Sequence, residues 1–146
     1  MKNLPYGRNG LMNLTTKEPT VYLVETEADF DKAIDRFVRK KKFRKLPKQI
    51  KGLVEELEKG EFSGELLTRQ DEPIPYEVYK KRLPNEDTQV GKSDGYRVIY
   101  LAMHETRIVA LLTMYYKKEQ ETVSEAYIKG LIDGFFLDLL PYEDEE

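Results

Sequence analysis

The chain changes its hydrophobic period as it runs. Between Phe30 and Val38, the residues Phe30, Ala33, Ile34, Phe37 and Val38 recur at the i, i+3, i+4, i+7, i+8 spacing of a helix with one buried stripe. Thr26 and Asp29 approximate a capping pattern for its start. A short strand, Val21 to Glu25, is predicted before it. Ile50, Leu53, Val54 and Leu57 repeat the helical spacing, with Pro47 in the tolerated first turn and Gly60 as a stop. Two helices so closely joined favour an antiparallel hairpin. After a Gly- and Pro-containing segment, Gly60 to Pro75, read as a loop, the period drops to two. Strands are predicted over Tyr76 to Leu83, Tyr96 to Met103 and Arg107 to Tyr116, the last two joined as a hairpin through His104, Glu105 and Thr106. The connection from Pro84 to Gly95 is long enough to act as a flap. Ser124 caps a final helix that buries Ile128, Leu131, Ile132, Phe135, Phe136 and Leu139 and stops at Pro141. The predicted order, β-α-α-β-β-β-α, is an α+β fold: a small, mostly antiparallel sheet with a helical hairpin and a C-terminal helix. Residues 1–19 read as a loosely ordered leader, 20–140 as one domain, and 141–146 as a solvated acidic tail.

Arg97 breaks this pattern. Alternation puts Arg97, Ile99, Leu101 and Met103 on one face of their strand and Tyr96, Val98, Tyr100 and Ala102 on the other. A guanidinium thus heads an otherwise apolar row. Arginine is planar, permanently charged and able to grip a phosphate at two points. The plainer alternative is an edge arginine paired with a carboxylate.

Composition narrows the chemistry. The chain has 146 residues, no cysteine and a single histidine, which removes disulfides and thiolate ligands and argues against zinc. Neither a metal nor a cofactor is expected. No stretch is apolar enough for a membrane span, and residues 1–20 lack a secretory apolar run, so a cytoplasmic protein without a membrane partner is expected. The formal net charge of −3 hides an asymmetry: ten basic residues lie between Lys32 and Lys51 against one acid, Asp35. Arg39, Lys40, Lys41, Lys42, Arg44 and Lys45 form the densest part, a solvated helix end or a surface for RNA or the ribosome. Other signals fade on inspection. Gly91-Lys92-Ser93 imitates the end of a phosphate-binding loop, but Glu86 stands where its first glycine belongs. His104 reads as a turn residue, and Glu55 and Glu56 as a helix's solvent side.

Basic residues also gather at predicted strand ends. Lys80 and Arg82 share one face of their strand; Arg97 lies on the next; Tyr115, Tyr116, Lys117 and Lys118 close the last. Brought together, they suit metal-free cleavage of RNA, in which the 2′-hydroxyl attacks the adjacent phosphorus and the protein stabilises charge and moves protons. By residue type alone, surface solubilisers remain the simpler reading.

Residues 79–83, 91–100 and 111–120, with the phrase Gly95-Tyr96-Arg97-Val98-Ile99-Tyr100 at their centre, resemble the RelE-like branch of the RelE/ParE toxin superfamily. The resemblance implies a toxin of a type II toxin-antitoxin system, a ribosome-dependent mRNA endonuclease (endoribonuclease, or mRNA interferase) held inactive by a cognate antitoxin. It assigns the scissile phosphate to Arg97, phosphate binding and proton abstraction to the pair Lys80 and Arg82, and leaving-group stabilisation to Lys117 or Lys118. Lys92 joins Arg39 to Lys45 as an RNA- or ribosome-binding residue. The family's tyrosine before the final helix has no counterpart at Thr122, Val123 and Ser124, leaving Tyr115, Tyr116 or Tyr127 for stacking or acid/base work. A binding module of the same fold without cleavage, and a ParE-like gyrase inhibitor, are the competing expectations.

Overall fold

A computed structural model describes residues 21–70 and 75–140. The proposed leader and acidic tail lie outside them. The chain forms β1 (Leu23–Thr26), α1 (Ala28–Arg39), α2 (Leu46–Glu58), β2 (Glu65–Gln70), β3 (Tyr76–Leu83), β4 (Tyr96–Met103), β5 (Ile108–Tyr116) and α3 (Glu125–Leu139), with a 3-10 turn at Lys92–Asp94. It is an α+β fold. The sheet has the order β1-β5-β4-β3-β2, in which β1 lies parallel to β5 and every other neighbouring pair is antiparallel.

Each face of the central strands carries its own core. Tyr96, Val98, Tyr100 and Ala102 pack under α1 and α2 with Phe30, Phe37, Leu46, Leu53 and Leu57. Ile99, Leu101 and Met103 pack on the opposite face with Val78, Leu112 and the α3 residues Ile132 and Phe135. Sequence alternation places these two rows correctly, and β4 is buried along its whole length. No helix among the described residues is long and apolar enough to cross a membrane.

Four expectations need correction. The segment between Gly60 and Pro75, expected to be a loop, contains β2, an edge strand whose register slips between Leu66 and Thr68. That bulge, together with Leu66 exposed and Leu67 turned to a core, erases a clean two-residue period. The first strand starts and ends later than predicted, and Thr26 is its last residue, so α1 begins after Glu27 with no side-chain cap. Asp29 instead accepts from Thr113 and Tyr127. Finally, the Pro84–Gly95 connection is pinned. Asn85, wholly buried, pairs with Val90 through its backbone and accepts from the amides of Asp87 and Thr88 through its side chain. Gln49 donates to the Pro84 carbonyl, and Asp87 accepts from the Lys45 amide. Ser124, by contrast, caps α3 as expected, accepting from the Tyr127 amide at 3.0 Å.

Candidate functional site

Cross-strand register builds the site. Arg82 on β3 is paired with Arg97 on β4, and Arg97 with Tyr115 on β5, so three side chains from three strands stand in one row on the α3 face. Lys80 lies two residues before Arg82 and Lys117 two residues after Tyr115, on that same face. Pairing continues past β5, because the Lys117 amide donates to the Gly95 carbonyl at 2.8 Å. The α3 helix covers the middle of this face and leaves its end open. There a cleft of about 610 Å³ is lined by Lys80, Lys81, Arg82, Lys92, Arg97 and Lys117, together with Tyr115, Ser63, Gly64, Glu65 and Glu121. Six cations face two carboxylates in one concavity, a setting that concentrates anions.

Arg97 is 5% exposed. Its partners among the described residues are backbone carbonyls: Nη1 donates to Lys92 at 2.8 Å and to Tyr96 at 3.3 Å, and Nη2 to Ser93 at 2.9 Å. The carboxylate partner of the plainer alternative is replaced by the 3-10 turn. A guanidinium has five N–H donors, so two are left without a partner among the described residues while the turn holds the plane in place. Such fixation removes the ordering cost that a flexible cation would incur on binding an anion.

Two glycines let the walls approach. A Cβ on Gly95 would stand 2.2 Å from the Leu83 carbonyl oxygen, so only glycine lets the turn lie against the end of β3. Gly64, at φ +113°, brings the start of β2 against the Lys80 backbone, where a Cβ would meet the carbonyl oxygen at 2.6 Å. Beside it, Lys81 donates to Ser63 Oγ at 2.7 Å.

The fate of each expected residue follows from strand parity. Lys80, Arg82, Lys92, Arg97, Tyr115 and Lys117 meet in the cleft. Lys118 is exposed and does not line it. Tyr116 points into the opposite core, where it packs on Phe37 and Phe43 and its hydroxyl lies 3.3 Å from Thr88 Oγ1. The basic run from Arg39 to Lys45 belongs to the end of α1 and the connection to α2. Arg39 pairs there with Asp35 and Lys41 with Glu119, away from the cleft lining. Sequence reasoning missed Ser63, Gly64 and Glu65 because it missed β2, and it missed Glu121. Gly64 was the available signal, a glycine directly before a run of strand residues.

His104 is a turn residue tied at both nitrogens. Nε2 lies 2.8 Å from Glu77 Oε1 and Nδ1 lies 2.9 Å from the Tyr22 hydroxyl. Glu77 also accepts from Tyr79 and Arg69. The Tyr79 hydroxyl, then His104, hold the Glu77 carboxyl down at about 2, while burial and the Glu77 charge push Tyr79 up to about 12. This cluster sits at the far end of β3 from the cleft. Among the described residues no three His, Cys, Asp or Glu side chains gather as a metal site. No protein-family model, curated protein or solved structure matches the chain.

Proposed function

We propose that the cleft binds an RNA phosphodiester and that the protein is a RelE-like toxin, a cytoplasmic, ribosome-dependent mRNA endonuclease restrained by a cognate antitoxin. The observation that carries this reading is the meeting of Lys80, Arg82, Lys92, Arg97, Lys117 and Tyr115 in one open concavity. In this scheme the open donors of Arg97 take the non-bridging oxygens. The 2′-oxygen attacks phosphorus, the P–O5′ bond breaks, and a 2′,3′-cyclic phosphate and a 5′-hydroxyl result. The proton leaving the 2′-hydroxyl passes to solvent at the open mouth of the cleft, while the Lys80 and Arg82 cations stabilise the forming 2′-oxyanion and lower the cost of that loss. Lys117 or the Tyr115 hydroxyl delivers a proton to O5′.

Primer extension on message from a purified translation reaction tests the proposal. Cuts within the decoding site are expected, and both Lys80→Ala and Lys117→Ala should lower their rate at least tenfold. Intact message there, with gyrase-linked DNA damage when the protein is expressed in cells, would move the assignment to the ParE-like activity. A second reading, anion binding without cleavage, draws on the commitment of three Arg97 hydrogen bonds to carbonyls. It predicts RNA binding that is lost in the same variants, with no cut at any site.

A further inference from the structure

A second cleft, of about 530 Å³, opens on the other side of Tyr115, which lines both. It exists because β1 pairs with β5 only as far as Leu111, leaving the later part of β5 without a strand on that edge. Asp29 from α1, Thr113 from β5, Ser124 before α3 and Tyr127 from α3 form its walls, and two exposed cations of α1, Lys32 and Arg36, stand at its edge, Arg36 engaged by Glu119. Its size falls within the range of small-molecule sites.

Asp29 is the distinctive group. Its Oδ2 accepts from Thr113 Oγ1 at 2.9 Å and from the Tyr127 hydroxyl, two bonds that fill that oxygen and fix the carboxylate. Oδ1 has no partner among the described residues. A fixed, acceptor-only oxygen in a cavity selects a ligand that presents N–H donors. Tyr127, 42% exposed, adds an aromatic surface at the rim.

We infer that this cleft holds the base of the nucleotide whose phosphate occupies the neighbouring cleft, and that Asp29 selects an amino-bearing base over uracil. The inference rests on the phosphate reading of the first cleft. Guanine offers two adjacent donors, and adenine and cytosine each offer an amino group. Uracil offers one N–H flanked by two carbonyl oxygens, which the carboxylate repels. Single-stranded RNA bases are commonly read in this way, by hydrogen bonds to the base edge beside an aromatic side chain.

Titration calorimetry with the four nucleoside 3′-monophosphates and inorganic phosphate tests it. The guanine, adenine and cytosine nucleotides should bind about tenfold tighter than the uracil nucleotide, the discrimination expected of one good base contact. Asp29→Asn should erase that gap, because an amide can donate to a uracil carbonyl, and should leave inorganic phosphate unaffected. Should Asp29→Asn fail to fold, Tyr127→Ala, at an exposed position, should weaken all four nucleotides by loss of the aromatic surface, and Tyr127→Phe, which frees the Asp29 carboxylate but keeps the ring, should narrow the gap to the uracil nucleotide. Equal binding of all four nucleotides, still weakened by Lys80→Ala, overturns the base assignment alone. Absence of phosphate binding, or binding indifferent to Lys80→Ala and Lys117→Ala, overturns the phosphate reading instead; a preference against uracil that Asp29→Asn removes would still support the base cleft.

Discussion

Replacing Arg97 by Ala should cost stability as well as function. An edge arginine paired with a carboxylate would be dispensable to the fold; Arg97 is instead buried and bonded to three carbonyls. Charge-assisted hydrogen bonds contribute about 1.5–3 kcal/mol each. The two shorter ones end on carbonyls of Lys92 and Ser93, exposed residues whose oxygens regain water, so the lower end of that range applies to them. The third, at 3.3 Å to the carbonyl of wholly buried Tyr96, adds less than either. Returning a buried cation to water offsets part of the loss, leaving about 2–4 kcal/mol of destabilisation. For a domain of this size that is a fall in melting temperature of about 8–15 °C. Circular dichroism melts of the parent, Arg97→Ala and Arg97→Lys read it directly. Lysine keeps the charge but not the planar fork, so it should recover less than half. An Arg97→Ala protein melting within about 2 °C of the parent would show that the guanidinium does not hold the turn.

Gly95→Ala should destabilise by about 1–3 kcal/mol in urea titration and weaken phosphate binding, because the added carbon forces the turn off the Leu83 carbonyl; a change below about 0.5 kcal/mol would contradict the close approach. Glu77 has a folded pKa of about 2, lower than in the unfolded chain, so its contribution is complete above pH 5 and is lost as pH falls toward 2. That contribution is at most about 3 kcal/mol, and Glu77→Gln should flatten the acid limb of stability against pH; an unchanged acid limb would refute it. Tyr96 buries a hydroxyl with no partner among the described residues, so Tyr96→Phe should be neutral or raise stability by about 1 kcal/mol; a loss above that would reveal a hidden contact.

The strands and helices with strong periodicity were legible. β3 and β4 begin and end where alternation puts them, and α3 starts at the capping Ser124. β2 was not, since an edge strand with a bulge exposes what a regular strand would alternate. Of the site, residue types and faces were readable on single strands, but convergence was not: the row Arg82, Arg97, Tyr115 depends on register between strands distant in sequence. The hydrogen bonds of Arg97 were equally hidden, because carbonyl acceptors leave no trace in residue identity. Asp29 was assigned to a helix start, where acidic residues are common, and its contacts with Thr113 and Tyr127 span 84 and 98 positions.

The step in register between β4 and β5 carries a wider implication. Ile99 pairs with Thr113 while Tyr100 pairs with Leu111, so Leu112 is an extra residue in β5. Before it, even-numbered residues such as Ala110 face the α3 side; beyond it, Tyr115 does, and Met114 and Tyr116 fill the other core. The contents of the cleft therefore depend on the length of this strand as much as on its letters. Loss of Leu112 would only restore regular alternation, with Tyr115 still opposite Arg97, whereas gain of one codon just beyond Thr113 would exchange the two faces downstream, presenting methionine to Arg97 and sending both Tyr115 and Lys117 to the opposite side. A lineage that drifted by such an insertion would keep every amino acid of the site and still lose the site itself.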